Sequence, residues 1–325
     1  NPYRVWVSEI MLQQTQVPTV IGYFKRFMKT FPTLKSLSLA PVDDVLTLWT
    51  GLGYYARARN LHQSAIFIST KHHGKFPNTL ETLIALPGIG KSTAGAILSI
   101  AFKQPAAILD GNVKRVLQRF YGIKSWYGIP ATLKELWEIA ENLKPSTKTA
   151  EYTQAMMDLG AVICTRSKPN CKMCPLKKSC IAHNENLTDT IPFKKPKKVI
   201  PTKKTRLLML QNKQGEIYLE KRPAIGIWGG LWSFPEISPN DNIQDYCQQH
   251  WQTKAMTLDT WETFKHTFSH YHLLITPIHA NISRIPLKLM ASEQAIWYNP
   301  DQDNLSLGLS APVKKLLGKL YEVTA

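Results

Sequence analysis

Acidic residues are scarce in this chain. Its 325 residues include 23 Asp and Glu against 40 Lys and Arg, so the formal net charge is +17. This balance favours a polyanionic partner such as nucleic acid, although basic proteins also bind acidic surfaces nonspecifically. Long apolar runs are missing as well, because none reaches the roughly 20 residues of a membrane-spanning helix. We therefore expect no membrane partner.

Cysteines are few, and four of the five lie close together. Cys164, Cys171, Cys174 and Cys180 form the pattern C-x6-C-x2-C-x5-C, whereas Cys247 stands alone. Such clustering in a large chain argues for a metal site in a reducing compartment and against a secreted disulfide framework. Four thiolates on a short loop fit either a tetrahedral zinc ion or a cubane iron–sulfur cluster. Structural zinc usually uses two C-x-x-C pairs and only one is present, so the spacing favours [4Fe-4S], with zinc as the alternative.

A starting methionine is absent, since the chain begins with Asn1 and Pro2. We expect the chain to be part of a longer gene product, so targeting signals upstream of it are not open to judgement. Hydrophobic residues make up 44% of the chain. A chain of this length and composition can form two or three domains, each with its own core.

Two different periodicities divide the sequence. Apolar residues recur at helical spacing through residue 163, which predicts an all-α domain. After residue 205 short alternating runs and two helical stretches predict an α+β domain. A stretch rich in Pro and Lys lies between them and is typical of an extended linker. The predicted boundaries are 1–163 for the helical domain, 164–180 for the cysteine loop, 181–205 for the linker and 206–325 for the α+β domain.

The stretch 86–115 combines a glycine turn with an acid. Gly88 and Gly90 permit the tight turn Leu-Pro-Gly-Ile-Gly, and a helix follows from Ser92. Backbone N–H groups at the start of that helix are suited to hold a phosphate. Asp110 precedes another helix, so it is either a catalytic carboxylate or only an N-cap. Neither feature decides the function, because such turns often merely connect elements.

A second acid, Glu9, lies in the first predicted helix, which extends from Tyr3 to Gln16. Helical spacing places Glu9 on one face with Val5, Leu12 and Gln16, so it interrupts a mostly apolar stripe. A buried carboxyl group without a partner has a raised pKa, as a general acid working near neutral pH requires. A solvated surface glutamate is the alternative and, from the helix pattern alone, the favoured interpretation.

The turn 51–59 places aromatic and basic residues side by side. Tyr54 and Tyr55 follow a glycine turn, and Arg57 and Arg59 come directly after them. This set could form an intercalating wedge with phosphate contacts. Ordinary core or capping roles for the same residues are equally compatible with the pattern.

Several ordered motifs recur in one known protein family. They are residues 8–15, the turn 51–59, the helix-hairpin-helix at 86–94, residues 109–115, the four-cysteine loop and residues 268–270. Together these stretches resemble the MutY-type adenine DNA glycosylases over essentially the whole chain. The resemblance implies an all-α helix-hairpin-helix glycosylase domain with an iron–sulfur loop, followed by a C-terminal α+β domain of the Nudix, or MutT-like, kind.

The resemblance also implies a reaction and two catalytic residues. The family removes undamaged adenine mispaired with 8-oxoguanine from duplex DNA, a repair activity. Glu9 would protonate the flipped adenine, and Asp110 would stabilise the positive charge that develops on the sugar. The chemistry agrees, since cleavage of an N-glycosidic bond needs one carboxyl that stays protonated and one that stays ionised. The base must first leave the stack, which accounts for wedge residues and phosphate contacts.

Further positions carry expected contacts by the same resemblance. Gln14 and Tyr54 would fill or wedge the duplex, and Gln154 would lie near the adenine edge. Phe268, Ser269 and His270 would inspect the oxidised guanine. The remaining expected DNA contacts are Gly88, Gly90, Ser92, Asn112 and Lys114. The four cysteines would hold a [4Fe-4S] cluster.

The chain departs from its relatives in three respects. An upstream segment with Trp and Arg that helps to line the adenine pocket in many relatives is absent. Ser92 stands where some members have Tyr and where endonuclease III-type enzymes have the lysine of their lyase chemistry, which favours a monofunctional glycosylase. In the Nudix-like half, Glu236 is the one glutamate between the stretch 229–235 and an acid-poor helix, whereas Nudix hydrolysis needs several glutamates for Mg²⁺. We therefore expect that half to recognise the lesion.

Two other functions compete with this interpretation. An endonuclease III-like glycosylase and lyase is disfavoured by Ser92 and by the second domain, and a noncatalytic DNA-binding module would not need both Glu9 and Asp110. The expected partners are duplex DNA with adenine opposite 8-oxoguanine and, through the linker, repair or replication proteins. A monomer is expected, and in a bacterium it would be found in the cytoplasm at the nucleoid.

Overall fold

The computed structural model describes residues 1–195, 199–255, 257–268, 270–282, 294–299 and 307–322. Ser269, one of the expected lesion contacts, lies outside these residues. The contacts divide the chain into two compact units. The first comprises Asn1–Leu39 and Asn60–Lys197, and the second comprises Ala40–Arg59 and Lys198–Ala325.

Residues 1–195 contain helices and no strand, as the periodicity predicts. The α-helices are α1 (Pro2–Leu12), α2 (Val17–Thr30), α3 (Leu34–Leu39), α4 (Val42–Leu48), α5 (Ala56–Lys71), α6 (Leu80–Ile84), α7 (Lys91–Phe102), α8 (Gly111–Tyr121), α9 (Pro130–Leu143), α10 (Thr149–Asp158) and α11 (Ile181–Asn184). A π-helix, Leu159–Ile163, directly follows α10, and the cysteine loop contains two 3₁₀ turns, Cys171–Met173 and Lys177–Ser179. Among the described residues, no helix is both long and apolar enough to cross a membrane.

Helix α1 is shorter than the sequence predicts. It ends at Leu12, because Gln14 adopts a left-handed backbone with φ of 58° and breaks the helical path. The buried face consists of Tyr3, Trp6, Val7, Ile10 and Met11. Glu9 is therefore partly buried at the edge of this face, and the predicted stripe through Val5 and Gln16 is wrong.

The glycine hairpin before α7 is closely packed. Gly88 has φ of 78°, and a Cβ there would lie 2.9 Å from the Cβ of Asn60. Gly95, within α7, lets the helix approach the segment leading to Asp110, since a Cβ there would lie 2.2 Å from the carbonyl oxygen of Ala107. Gly88 therefore lets the hairpin pack on α5, and Gly95 lets α7 contact the segment before Asp110.

The second unit contains one mixed sheet. Its strands are β1 (Thr202–Gln211), β2 (Ile217–Lys221), β3 (Trp232–Ser233), β4 (Glu236–Ile237), β5 (Thr257–Thr260), β6 (Phe264–Thr267), β7 (His272–Asn281) and β8 (Ala295–Tyr298). The main strand order is β3-β2-β1-β7-β5, with β4 on β1, β6 on β7 and β8 on β2. Strands β1 and β7 pair in parallel from Thr202 with His272 to Gln211 with Asn281.

Alternate residues of β1 face two separate cores. Leu207 and Met209 pack in a core that includes Leu316 of α13 (Ala311–Glu322). Leu208 and Leu210 pack in a second core that includes Trp251 of α12 (Ile243–Trp251). Both faces of the sheet are therefore covered by helix, which confirms the predicted α+β domain.

The ends of the predicted linker are ordered elements. α11 occupies Ile181–Asn184, and β1 already begins at Thr202, four residues before the predicted start of the α+β domain. Lys203 and Lys204 fit in β1 because their side chains are exposed while their backbones pair with β7. The segment Ala40–Arg59 also lies in the second unit, although the predicted boundary assigns it to the helical domain.

Candidate active site and cysteine loop

Glu9 and Asp110 act on each other electrostatically in the first unit. Burial is the main cause that raises the pKa of Glu9 to about 7, and the charge of Asp110 raises it further. A carboxyl group with this pKa holds a proton at neutral pH in a large fraction of molecules. Glu9 is therefore a proton donor of the kind that general acid catalysis requires, and Asp110 supplies a second carboxyl group that interacts with it.

Asp110 is the N-cap of α8. Its Oδ1 accepts a hydrogen bond of 2.8 Å from the backbone N–H of Val113, so the structural role predicted as an alternative is present. The N–H donor and the positive end of the helix dipole both stabilise a negative carboxylate. Capping and charge stabilisation are thus compatible uses of the same side chain.

Ser92 connects the hairpin to the segment before Asp110. Its Oγ accepts a hydrogen bond of 3.0 Å from the N–H of Leu109. Gln13, which no sequence pattern selects, donates from Nε2 to the carbonyl of Gly88 and to Oγ1 of Thr93, both at 3.3 Å. The end of α1, the hairpin and the residue before Asp110 are therefore tied together by hydrogen bonds.

Lys114 and Asn112 lie in the first turns of α8. Burial lowers the pKa of Lys114, and the charge of Asp110 partly opposes this shift. The Nζ of Lys114 lies 5.3 Å from the ring centre of Tyr127. Asn112 accepts from Arg115 at 2.8 Å through its Oδ1, and Gly160 packs closely on it. The structure therefore gives Asn112 an internal partner, in addition to any contact with DNA.

Two arginines of α8, absent from the sequence predictions, join this helix to the cysteine loop. Arg115 donates to the carbonyl of Cys164 at 2.7 Å and to that of Gly160 at 2.6 Å. Arg119, only 2% exposed, donates to Sγ of Cys164 at 3.4 Å. It also bonds the carbonyls of Thr165, Arg166, Thr188 and Ile191. The signal that could have found them is a repeat of Arg at i and i+4 on the helix that Asp110 caps.

The four cysteines of the loop line one cavity, together with Arg119 and His183. None of the four is in a disulfide. Burial raises the pKa of Cys171, and the charges of the other three thiols raise it further. Among the described residues, no three His, Cys, Asp or Glu side chains are arranged to hold a single metal ion. Four thiols around one cavity are the ligand number that either a [4Fe-4S] cluster or a single zinc ion uses.

Gln14, Gln154 and Gly90, which are expected to contact DNA, have different surroundings. Gln14 is exposed and adopts the left-handed backbone that ends α1. Gln154 is an exposed residue of α10, and its Nε2 donates to Oδ1 of Asp158 at 2.8 Å. Gly90 is the N-cap of α7, with open space beyond its Cα hydrogen. All three belong to the first unit, as do the two carboxylates.

Tyr54 belongs to the second unit, where it occupies a strained turn. Its φ is 50° and its side chain is 52% exposed. Arg57 is buried and donates to the carbonyls of Leu52 at 3.3 Å and Gly53 at 3.0 Å. Burial lowers its pKa to about 10. Of the two roles that the sequence leaves open for Arg57, the structure shows the capping one, because its guanidinium holds the turn from inside.

Phe268 and His270 also lie in the second unit, between β6 and β7. The ring of Phe268 contacts Trp228 at a centroid distance of 5.3 Å and Tyr271 at 4.9 Å. The N–H of Phe268 donates to the carbonyl of Tyr271 at 2.9 Å. His270 is exposed, and its ring lies 6.3 Å from that of Phe268.

Two family models match separate parts of the chain. Residues 7–142 match the HhH-GPD superfamily of base excision DNA repair proteins. Residues 206–319 match the NUDIX domain. The first match includes Glu9, the hairpin and Asp110, and the second includes Phe268 and His270.

Individual proteins are similar over longer stretches. The chain is 44% identical over 321 residues to an adenine DNA glycosylase of Buchnera aphidicola subsp. Baizongia pistaciae, covering 98% of this chain and 90% of that protein. It is 33% identical to the adenine DNA glycosylase of Homo sapiens, covering 83% of this chain and 59% of that protein. A thermostable thymine-DNA glycosylase structure matches 57% of this chain and 85% of its own, with 29% identity and a TM-score of 0.52.

Proposed function

Because the chain belongs to the HhH-GPD superfamily and, within it, to the adenine DNA glycosylases, we propose that its substrate is adenine paired with 8-oxoguanine or guanine in duplex DNA. Family membership makes the protein an enzyme that hydrolyses N-glycosyl bonds in base excision repair. The oxidised partner base and the restriction to a single activity are the proposed parts. The observation that carries the proposal is the buried Glu9, whose pKa is raised to about 7 by burial and by the charge of Asp110.

The two carboxyl groups divide the reaction between them. Glu9 gives its proton to a ring nitrogen of the flipped adenine, so the base becomes a better leaving group. The bond between the sugar and the base then breaks, and the bonding electrons leave with the base. Asp110 stabilises the positive charge left on the sugar, and a water molecule adds there, giving a proton to the Glu9 carboxylate and yielding the abasic product.

The proposed single activity rests on the lack of a lyase lysine at position 92. Ser92 has no amine, and its hydroxyl accepts the N–H of Leu109. The neighbouring Lys91 is paired with Glu141 at 2.9 Å and lies 4.1 Å from the ring centre of Trp137. Lys114 is the amine that interacts with Asp110, so we assign it a contact with DNA phosphate and at most incidental trapping of the product aldehyde.

An alkali test separates this function from a combined glycosylase and lyase. Duplexes carrying adenine opposite 8-oxoguanine, guanine or thymine are incubated with the protein, and strand breaks are measured before and after alkali. We expect breaks only after alkali, strongest opposite 8-oxoguanine and weakest opposite thymine. Efficient strand cleavage without alkali would contradict the single activity, and equal release from all three duplexes would contradict the substrate.

We infer that the cysteine loop holds a [4Fe-4S] cluster. Cys164, Cys171, Cys174 and Cys180 supply the four thiolates that such a cluster uses. When bound, the cluster would supply a rigid centre for a loop that otherwise has little regular structure. The contacts of Arg115 and Arg119 with this loop support a role in fixing the position of α8, which Asp110 caps.

Metal analysis distinguishes the cluster from zinc. We expect about four iron atoms and four acid-labile sulfides per chain, together with a broad visible absorption band. Cys174→Ala should reduce the iron content, whereas Cys247→Ala, which changes a cysteine buried in the second unit, should leave it unchanged. Stoichiometric zinc without sulfide would overturn the assignment.

We propose that Phe268 and His270, here together named the recognition turn, inspect the base opposite adenine. The hydrolytic alternative for the Nudix-like unit is poorly supported by its acidic residues. Glu236 accepts from Thr205 at 2.8 Å and pairs with Arg222 at 2.8 Å. Helix α12 contributes one acid, Asp245, in its first turn, whereas Mg²⁺-dependent hydrolysis needs several carboxylates.

His270→Ala should affect the choice of partner base more than the chemistry. We expect the preference for 8-oxoguanine over guanine to fall by about tenfold, the scale of one lost hydrogen bond. Single-turnover adenine release opposite each base measures the ratio. His250→Ala is the matched control, because His250 is an exposed histidine on α12. Equal losses on both mispairs would count against the recognition turn.

A further inference from the structure

The turn 51–59 is held by residues far along the chain. Arg59 donates from Nη1 to the carbonyl of Gly229 at 2.6 Å, and Tyr55 donates from its hydroxyl to the carbonyl of Leu309 at 3.1 Å. Just before the turn, Asp43 pairs with Lys221 at 2.7 Å. Each of these three partners lies within the Nudix-like sequence. The position of the turn 51–59 therefore depends on contacts with that sequence.

The turn itself is rigid at Tyr54. Gly51 and Gly53 have φ of 96° and 77°, and Tyr54 itself has φ of 50°. The hydroxyl of Tyr55 accepts from the N–H of Gly51 at 3.2 Å, while Arg57 bonds the carbonyl of Gly53. The half-exposed ring of Tyr54 is thus carried by a backbone that the buried side chain of Arg57 holds through hydrogen bonds to its carbonyls. Movement of the turn as a whole would therefore move Tyr54 with it.

The residue that Arg59 bonds, Gly229, directly follows a tryptophan that contacts the recognition turn. Gly229 follows Trp228, whose ring lies 5.3 Å from Phe268 and 5.5 Å from His266 by centroids. A Cβ on Gly229 would lie 2.3 Å from the carbonyl oxygen of Ala224, so the loop 222–231 is tightly folded. We name this loop the bridging loop.

The bridging loop is also supported from the end of β2. Arg222 donates from Nε to the carbonyl of Ile227 at 3.0 Å, and its guanidinium lies 5.9 Å from the ring centre of Trp228. Trp228 has a left-handed backbone with φ of 54°. The hydrogen bond of Arg59 with Gly229 and the contact of the Trp228 ring with Phe268 therefore link the turn 51–59 to Phe268 through the bridging loop.

We propose that the bridging loop couples recognition of the base opposite adenine to the position of Tyr54, with Arg59 and Trp228 as positioning residues. The proposal rests on the proposed function of the recognition turn and deepens it. A correct base at Phe268 and His270 favours one position of the Trp228 ring. Because Gly229 follows Trp228, its carbonyl moves with that ring, and the hydrogen bond from Arg59 moves the turn 51–59 with it. Coupling of this kind is a free energy shared by two sites, so loss of either contact should remove it.

A double-mutant cycle tests the coupling through the ratio of single-turnover adenine release opposite 8-oxoguanine and opposite guanine. We expect Trp228→Ala and Arg59→Met each to lower this ratio by about tenfold. The double variant should be no worse than either single variant, because the same path is already broken. Trp228→Phe keeps an aromatic ring and should retain most of the preference. Trp297→Ala, which removes a ring packed on the other face of the sheet, controls for the loss of a tryptophan.

A second measurement does not depend on adenine release. In the free full-length protein, Trp228→Ala should accelerate amide hydrogen exchange in residues 51–59 and 266–271, while Trp297→Ala leaves these segments unchanged. Additive losses in the cycle, or exchange in 51–59 that ignores Trp228, would overturn the coupling. Failure of the unaltered protein to release adenine would instead refute the proposed function, and the exchange experiment would still decide whether the bridging loop connects the two turns.

Discussion

Asp110→Asn is expected to bind the mispair and to lose adenine release by at least about 10²-fold, the scale of one removed charge-stabilising group. Asparagine caps helices about as well as aspartate, so its Oδ1 can still accept the N–H of Val113. The substitution therefore removes the negative charge and keeps the local fold. Single-turnover release and equilibrium binding to the same duplex measure the two effects separately.

Asn242→Asp is the matched control for this variant. Asn242 caps α12 through bonds from the N–H groups of Gln244 and Asp245, so the control makes the reverse exchange at a helix cap in the second unit. Its adenine release should stay close to that of the unaltered protein. Near-normal release by Asp110→Asn would remove Asp110 from the chemistry and leave it as a cap alone.

Glu9→Gln is expected to reduce release by a similar factor, because the amide cannot donate the required proton. In the unaltered protein the protonated form of Glu9 decreases as pH rises through about 7. The rate should therefore fall about tenfold per pH unit above that value. Glu135→Gln, at an exposed position of α9, should leave both rate and pH profile unchanged. A flat profile from about pH 6 to 9 would refute Glu9 as the acid.

Stability should respond to the same proton. The pKa of Glu9 is higher in the folded protein than in the unfolded chain, so folding binds a proton here. Its contribution to stability is fully present below the ordinary glutamate pKa and is lost as pH rises through about 7. Glu9→Gln should therefore gain thermal stability relative to the unaltered protein at about pH 8, and much less at about pH 4. Calorimetry at the two pH values checks this sign.

Local sequence patterns predicted the parts of the fold that depend on local interactions. Helical spacing through residue 163, the alternating runs after residue 205 and the cap at Asp110 all depend on neighbours a few residues apart, and the structure confirms them. The pairing of Glu9 with Asp110 came from a family resemblance, since no pattern relates residues a hundred positions apart. The electrostatic effect of Asp110 on Glu9 agrees with that pairing.

The remaining features depend on long-range packing. An arginine such as Arg119 looks like a surface residue in sequence, and only the fold provides the five acceptors that let it be buried. The stripe through Val5 and Gln16 failed because Gln14 ends α1 with a backbone conformation that spacing rules do not detect. Membership of Ala40–Arg59 in the second unit likewise depends on partners far along the chain, such as the Lys221 partner of Asp43.

That membership has a consequence for cleavage and truncation of the chain. The polypeptide changes unit after Leu39, after Arg59 and after Lys197. A single cut by a protease near residue 197 would therefore leave two fragments that stay associated through noncovalent contacts, because Leu46 packs against Gly308. A protein truncated to the helical half would lack Gly308, so Leu46 would lose this packing contact. Leu46, which is 1% exposed in the intact chain, would then be uncovered, although the two halves match separate family models.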